Sequence, residues 1–191
     1  FLSEWMKDGE LDLSRYAKGH TFMVTAKASG LINRLDINAD IYSLIGRADA
    51  DIRLENITDS GNPIRISGTA ETDDLNIGKL ISSNLIGPVT LRTGLKAELG
   101  KTKSARIDSL FIDRLNLNNY DYTGIKASGA LSENMFNGTI IASDPNLNFI
   151  LQGGFALSAK TNNARYKFYA NVSDADLNAI NIDKRGKSTL R

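Results

Sequence analysis

The stretch VTLRTGLKAEL, residues 89–99, alternates between apolar and polar side chains along its length. Its odd positions are Val89, Leu91, Thr93, Leu95, Ala97 and Leu99, and its even positions are Thr90, Arg92, Gly94, Lys96 and Glu98. Successive side chains of a β-strand point to opposite faces of the sheet. The stretch therefore predicts a strand with one apolar face and one wet face, and the fold depends on what covers the apolar face.

The same period of two recurs along most of the chain. Alternating runs occupy residues 22–28, 35–41, 48–54, 64–70, 125–131 and 166–172. Segments rich in Asn, Asp, Gly, Ser and Pro predict turns at residues 59–63, 132–138, 143–146 and 160–163. Helix signals are confined to residues 2–9 and 77–84, where we expect a turn or two at most. The pattern predicts an all-β protein with a mostly antiparallel sheet.

A loose internal repeat places Leu before Asn or Asp at five positions. The pairs are Leu35-Asp36, Leu75-Asn76, Leu115-Asn116, Leu147-Asn148 and Leu177-Asn178, and the steps between the leucines are 40, 40, 32 and 30 residues. These steps are too irregular for a strict solenoid, but they suit an elongated sheet whose strands come in similar small groups. The alternative is that Leu-Asn pairs simply accompany the Asn-rich composition of a β protein.

The apolar face needs a covering, because exposed apolar surface costs about 25 cal/mol per Å². Around ten strands of this kind would present more apolar area than the few hundred Å² that a soluble monomer exposes. The sheet can fold onto itself as a sandwich, or it can curl into a trough whose inner wall stays apolar. The inward positions include many Ala and Gly, and aromatic residues make up only 7% of the chain, which favours a trough with room inside it.

Composition narrows the class of protein. The 191 residues include 23 Lys and Arg against 22 Asp and Glu, so the net charge of +1 predicts no nucleic-acid partner. The absence of cysteine excludes disulfides, zinc–thiolate sites and thiol catalysis. We expect a piece of a longer protein, because the chain begins without Met and ends in DKRGKSTLR, which looks like a strand just beginning. We expect residues 1–18 to be a connecting segment and residues 19–191 to form one curled sheet module.

Residues for catalysis or metal binding are sparse. His20 is the single histidine and has no nucleophile signature beside it, so we interpret it as a surface residue. The acidic segments at residues 71–76 and 173–178 lack the spacing of calcium loops, and capping of turns explains them. No phosphate-binding or dinucleotide fingerprint occurs. We expect no enzymatic activity, no metal and no cofactor.

Several sequence segments resemble those of a known protein family. IDRLNLNNYDYTGIKASGALSENMFNGTIIASDPNLNFILQGGFAL, residues 112–157, strings together short strands, Gly-rich turns and a Leu-Asn pair. TDDLNIGKLI (72–81), ANVSDADLNAINI (170–182) and YSLIGRADADIRLENI (42–57) have the same cadence. In the order and density of these phrases, the chain resembles the AsmA/TamB-like family of bacterial envelope proteins, in particular the TamB-type translocation and assembly module proteins of Bacteroidetes.

The resemblance implies an elongated, mostly antiparallel sheet curled into an open trough, the β-taco, with an apolar inside and a polar outside. It implies a periplasmic protein of a Gram-negative bacterium, anchored in the inner membrane outside this piece. The implied role is the transport of phospholipids between the inner and outer membranes in outer-membrane biogenesis. An older view of the family makes it an assembly factor for outer-membrane β-barrel proteins with a BamA-like barrel partner.

Under the resemblance, the apolar side of each strand becomes part of one lipid groove. The predicted groove residues are Ile64, Ile66, Val89, Leu91, Leu95, Ala97, Leu99, Ile125, Leu131, Phe149, Leu151, Phe168 and Val172. The alternation sets which side of a strand each residue occupies, and the resemblance alone makes those sides a shared wall for phospholipid acyl chains. Two alternatives stay open: an assembly factor that offers its groove or edge to unfolded strands, and a closed β-sandwich with a structural role.

Overall fold

The structure is a computed structural model that describes residues 6–7, 10–11, 21–101, 103–132, 135–157, 164–186 and 188–190. Two short strands, β1 (Met6–Lys7) and β2 (Glu10–Leu11), pair with each other in a separate two-stranded sheet. The helix expected over residues 2–9 is therefore wrong at Met6 and Lys7, and its other positions lie outside the described residues. His20 also lies outside them.

Every other strand belongs to one eleven-stranded sheet in which each strand pairs with its neighbours in the sequence. Its strands are β3 (Phe22–Leu31), β4 (Arg34–Ser43), β5 (Gly46–Glu55), β6 (Ile64–Asn76), β7 (Ile86–Leu99), β8 (Lys103–Leu117), β9 (Tyr120–Ser132), β10 (Met135–Asp144), β11 (Leu147–Leu157), β12 (Ala164–Asp176) and β13 (Thr189–Leu190). All the pairings are antiparallel. A single short helix, α1 (Ile77–Ile81), connects β6 to β7 among the described residues.

The predicted fold class is confirmed. The protein is all-β, and its sheet is an open curled trough that does not close into a barrel, with β3 at one edge and β13 at the other. Among the residues that the structure describes, each long strand is hydrogen-bonded only to its sequence neighbours, and only six hydrophobic residues are buried. The helix expected within residues 77–84 is confirmed as the five residues of α1, and its N-cap Asn76 accepts a hydrogen bond from the backbone N–H of Lys79.

The strand register aligns the apolar positions into rows that cross the sheet. Leu95 lies opposite Gly68 of β6 on one side and Ile107 of β8 on the other. Two residues along β7, Thr93 lies between Ala70 and Leu110. We call the side of the sheet that carries these residues the inner face, and the opposite side the outer face. A slip of one residue at any pairing would reverse the faces, so the apolar rows fix the register.

β-Bulges in β8 shift its register relative to the neighbouring strands. Between Ile107 and Leu110, β8 uses one residue more than both β7 and β9, and a second extra residue relative to β7 lies between Ile112 and Leu115. The inner positions of β8 therefore advance by three residues at two places. For this reason the period of two, which predicted the neighbouring strand at residues 89–99, did not predict β8.

The predicted turns are partly correct. Residues 59–63 connect β5 to β6 as expected. The turn expected over residues 132–138 is wrong at its end, because β10 begins at Met135 and pairs from there with both β9 and β11. The turn expected over residues 143–146 is shorter than predicted, since Ser143 and Asp144 belong to β10. Residues 160–163 lie outside the described residues.

The buried core lies at one end of the strands. We call this the closed end; it contains the turns that join β4 to β5, β8 to β9 and β10 to β11, together with α1. The hydrophobic residues that the described part of the chain buries are Ile45, Val89, Tyr122, Ala142, Ala175 and Ile180. All six lie at the closed end, so the rest of the inner face has no packed layer above it.

Candidate functional site

All the predicted groove residues lie on the inner face. The cross-strand pairs that place them there are Ile64–Leu99, Ile66–Ala97, Val89–Leu115, Leu91–Ile112, Leu95–Ile107, Ile125–Ala142, Leu131–Phe136, Phe149–Val172, Leu151–Ala170 and Gly153–Phe168. Adjoining pairs share strands, so these positions form one continuous apolar surface. This surface crosses the long strands of the sheet, and it is the candidate functional site.

The inner face also contains residues that were absent from the predicted set. β8 contributes Ile107, Leu110, Ile112, Leu115 and Leu117. Their signal in the sequence is an apolar step of three at each bulge, which a strict period of two does not detect. On the N-terminal side of the sheet, β3, β4 and β5 add the rows Val24–Ile41–Ala48 and Ala28–Ile37–Ile52.

Exposure shows that this surface is a wall rather than a core. Ile37 of β4, Ile52 of β5 and Leu95 of β7 are half-buried. Exposure is 42% for Val24 of the edge strand β3 and 55% for Phe168 of β12, and Leu131 of the central strand β9 is also 41% exposed. The inner face is therefore open to solvent both near the sheet edges and at the end of β9 that lies away from the closed end.

Glycines shape the inner face between β9 and β11. Gly129, Gly138 and Gly153 are cross-strand neighbours in one row. A Cβ atom added at Gly129 or at Gly138 would lie 2.7 Å from Cζ of Phe136, so the aromatic ring rests directly over two glycines. Larger residues in this row would lift the ring off the sheet, and glycine therefore keeps the wall smooth here.

The closed end contains a buried carboxylate. Asp144 is only 1% exposed, and three residues donate hydrogen bonds to its carboxylate. Oδ1 accepts from the hydroxyl of Tyr120 at 2.6 Å and from the N–H of Asn146 at 2.9 Å. Oδ2 accepts from the N–H of Thr123 at 2.8 Å and from its hydroxyl at 3.1 Å. Burial raises the pKa of Asp144, but these bonds outweigh it and hold the pKa below its ordinary value.

A segment after β12, residues 177–183, lies over the closed end; we call it the cap. Asn181 donates from Nδ2 to the backbone carbonyl of Asn118 at 3.0 Å, and Asn118 donates from its own Nδ2 to the carbonyl of Asn181 at 2.8 Å. The hydroxyl of Tyr122 donates to the carbonyl of Ile180 at 3.3 Å. Ile180 is fully buried. The cap thus joins β12 to β9 across two intervening strands and closes this end of the trough.

The Leu-Asn repeat marks this end of the molecule. Four of its five pairs lie at or beside the closed end, and Leu35-Asp36 lies at the opposite end. The asparagine side chains satisfy backbone groups there: Asn148 donates to the carbonyl of Asp144 at 3.0 Å, and Asn178 donates to that of Asp183 at 3.0 Å. The repeat therefore reports turn and cap chemistry at one end of a meander.

The outer face carries cross-strand ion pairs. Arg53 contacts Asp36 at 2.6 Å, Arg65 contacts Glu98 at 3.1 Å, and Lys96 contacts Asp108 at 3.0 Å. Hydrogen bonding to Arg53 lowers the pKa of Asp36. Exposed ion pairs of this kind contribute about 0–1 kcal/mol each to the free energy of unfolding. Their main effect is to keep the outer face polar and solvated.

Two searches of the described residues give negative results. No group of three or more His, Cys, Asp or Glu side chains in this part of the chain is arranged to hold a metal ion. None of its helices has the length and apolar character needed to cross a membrane. Residues 71–76 lie within β6, where Asp74 has a φ of 49° beside the bulge between Thr72 and Leu75, so turn capping does not describe this segment. In the segment 173–178, Asp176 accepts hydrogen bonds from the N–H groups of Asn178 and Ala179 at the end of β12.

Comparisons of the chain with protein-family models, with curated proteins and with solved structures find no match.

Proposed function

We propose that this chain is a non-enzymatic apolar groove that carries the acyl chains of phospholipids. One observation carries the proposal: a continuous apolar inner face crosses the sheet, and away from the closed end its described residues stay half-buried or exposed. A surface of this kind needs an apolar occupant, because leaving it in water is costly.

The size of the wall suits acyl chains. The ten long strands β3–β12 span about 43 Å across the sheet at about 4.8 Å per interval. An acyl chain is about 15 Å long, half the thickness of a bilayer's hydrocarbon core. Several chain lengths therefore fit along the wall. Keeping one 16-carbon chain from water is worth about 12 kcal/mol, and a groove between two membranes would remove most of that barrier.

The polar residues within the apolar rows do not interrupt the wall. Thr72 donates its hydroxyl to the carbonyl of Val89 at 3.0 Å, and Thr93 donates its hydroxyl to the carbonyl of Ser109 at 3.0 Å. Both hydroxyls are therefore satisfied by backbone carbonyls and need no hydrogen bond from an occupant of the groove. A lining of this type offers an acyl chain similar contact at each position, so a chain can slide along it without a deep binding minimum.

The resemblance to the AsmA/TamB-like family supports a place for this groove. Under the proposal, the chain belongs to a periplasm-spanning protein of a Gram-negative envelope, with its inner-membrane anchor elsewhere in the parent protein. Phospholipid acyl chains would be its ligands, a BamA-like outer-membrane barrel its protein partner, and outer-membrane biogenesis its process.

A second candidate rests on the sheet edges. The outward side of β3 pairs with no strand in the described part of the chain, and it could receive an unfolded outer-membrane strand by β-augmentation. Photo-crosslinking residues in cells, at Leu95 or Leu131 for the groove and at Thr25 for the β3 edge, distinguish the candidates. Adducts with lipid alone would count against an assembly factor, and adducts with barrel-protein strands would support it.

Mass spectrometry of the purified chain tests the main proposal. We expect phospholipid to co-purify, and we expect a delipidated chain to take up phospholipid from vesicles. The matched variants are Leu91→Gln with Leu95→Gln on the inner face, and Arg92→Gln with Lys96→Gln on the outer face of the same strand. Only the inner pair should lose lipid. Equal lipid content in both variants, or a wild-type chain that takes up none, would refute the proposal.

A further inference from the structure

A cleft lies on the outer face of the sheet, over the strands β10, β11 and β12. Its volume is about 690 Å³. Sites for small molecules commonly have volumes of about 300–1,000 Å³. The sheet itself separates this outer cleft from the apolar groove, so the lipid proposal makes no use of it.

The strand register explains why a cleft forms at this place. Along the outer side of β11, the small residues Gly154 and Ala156 lie between longer side chains on both neighbouring strands. The residues opposite Gly154 are Asn137 of β10 and Lys167 of β12, and those opposite Ala156 are Met135 and Arg165. A Cβ atom added at Gly154 would lie 2.3 Å from the backbone carbonyl oxygen of Phe136, so the floor of the cleft has no room for a side chain.

Two cations at the cleft have no carboxylate partner. Arg165 and Lys167 are both exposed, and they lie two residues apart on the same side of β12. Neither contacts an acidic side chain within the described part of the chain, where the ion pairs between strand residues all lie on β4 to β8. Neighbouring charges of one sign repel each other, and an anion bound between them would remove that repulsion.

The remaining walls supply neutral hydrogen-bonding groups and apolar surface. The side-chain amides of Asn137 and Gln152 and the hydroxyl of Tyr169 line the cleft without a hydrogen-bond partner among the described residues. Met135 is 53% exposed and Tyr169 is 63% exposed, so a thioether and an aromatic ring are open to contact with a ligand. An occupant of this cleft therefore combines negative charge, hydroxyl groups and a carbon skeleton.

We propose that the outer cleft binds a phosphate ester. The phosphate lies against Arg165 and Lys167, because a guanidinium donates two parallel hydrogen bonds to phosphate oxygens and an ammonium adds a second positive charge. The body of the ester lies over Gly154, and its hydroxyl groups reach the amides of Asn137 and Gln152. This inference concerns the opposite face of the sheet and goes beyond the lipid groove.

The size of the cleft favours an ester over a bare phosphate ion. A single phosphate would leave most of the 690 Å³ empty, whereas a glycerol- or sugar-sized body also contacts Met135 and Tyr169. Such an ester has two sources, the headgroup of an anionic phospholipid and a soluble ester. The phosphate chemistry at Arg165 and Lys167 is the same for both.

Isothermal titration calorimetry at low ionic strength tests the site, with glycerol 1-phosphate and inorganic phosphate as probes. We expect the ester to bind more tightly than the ion. Arg165→Gln combined with Lys167→Gln should weaken both probes by about ten-fold or more, because hydrogen bonds to charged groups are the stronger ones. Arg92→Gln combined with Lys96→Gln removes two cations from the outer face of β7 and should bind as the wild type does.

A third variant tests whether the ester occupies the cleft. Ala156→Phe fills the space beside Gly154 and leaves both cations in place. It should abolish the advantage of the ester over inorganic phosphate without weakening inorganic phosphate itself. Circular dichroism melts of all the variants show whether each one folds. An ester that binds Ala156→Phe as tightly as the wild type would overturn the placement of its body in the cleft.

Vesicle flotation distinguishes the two sources of the ester. Enrichment on phosphatidylglycerol vesicles over phosphatidylcholine vesicles, lost in the Arg165 and Lys167 double variant, would identify a lipid headgroup. Binding of glycerol 1-phosphate without that enrichment would identify a soluble ester. The proposal is overturned if no probe binds, or if the double variant binds as the wild type does. Co-purifying lipid is measured on the same samples and should be unchanged in the double variant, so failure of the cleft is separable from failure of the groove.

Discussion

The wall and the closed end differ in how they tolerate a charge, and one strand contains both. Val89 and Leu95 lie on the inner face of β7, six residues apart. Val89 is 3% exposed at the closed end, whereas Leu95 is half-buried on the open wall opposite Gly68. We expect Val89→Arg to unfold the protein and Leu95→Arg to leave it folded.

The expected magnitudes follow from solvent access. A guanidinium at position 89 would be buried without a partner, at a cost of several kcal/mol, comparable with the whole stability of about 5–15 kcal/mol for a domain. At position 95 the long side chain reaches water along the open trough, so the cost is about 1 kcal/mol from lost apolar burial. For a chain of this size, 1 kcal/mol corresponds to a fall in Tm of about 2–4 °C.

Circular dichroism melts of both variants measure the difference, with Leu95→Gln as a control that removes the apolar group without adding charge. We expect a cooperative transition for Leu95→Arg that is only slightly lowered, together with loss of bound lipid. For Val89→Arg we expect no cooperative transition near the wild-type Tm. Equal destabilisation by the two arginines would mean that the wall is packed like the closed end, and the open-trough reasoning would fail.

Three further outcomes are expected. Asp144→Asn should lower stability at neutral pH by about 2–3 kcal/mol in urea titrations, because it removes charged acceptors of buried hydrogen bonds. The lowered pKa of Asp144 stabilises the fold above the carboxyl's ordinary pKa and loses that contribution as the pH falls through the folded-state pKa, so the wild type should lose more stability on acidification than the variant. Gly68→Ala should cost about 1–3 kcal/mol, since its Cβ would lie 1.9 Å from the carbonyl oxygen of Asp51, whereas Gly94→Ala, whose nearest new contact is at 3.7 Å, should stay within about 0.5 kcal/mol. Asn181→Ala removes the two hydrogen bonds that its side chain donates to the carbonyls of Asn118 and Asn119, leaves the bond from Asn118 to the backbone of residue 181, and should speed amide exchange in residues 177–183, which native-state hydrogen exchange measures.

The sequence predicts the fold wherever the period of two is unbroken. In β7 the alternation of residues 89–99 identifies the strand, its inner face and its apolar members. In β8 the same approach fails, because bulges depend on how the neighbouring strands register and leave only a step of three in the sequence. The curl has a similar origin, since twist and bulges act across several strands at once.

The closed end was beyond prediction for a different reason. The contacts between Asn118 and Asn181 join positions that are 63 residues apart, and no local pattern connects them. The burial of Asp144 likewise depends on Tyr120 and Thr123 of the preceding strand. The Leu-Asn repeat gave the position of several of these turns in the sequence, but it did not show that they meet at one end.

The meander order of the strands has a consequence for how the protein is made. Each long strand pairs with the strands made just before and just after it, so contact order is low except at the cap. Such a sheet can grow hairpin by hairpin while the chain is still emerging, with each new hairpin extending the last edge. Adding or deleting one hairpin changes the length of the groove without altering the rest, so gene duplication can set its reach.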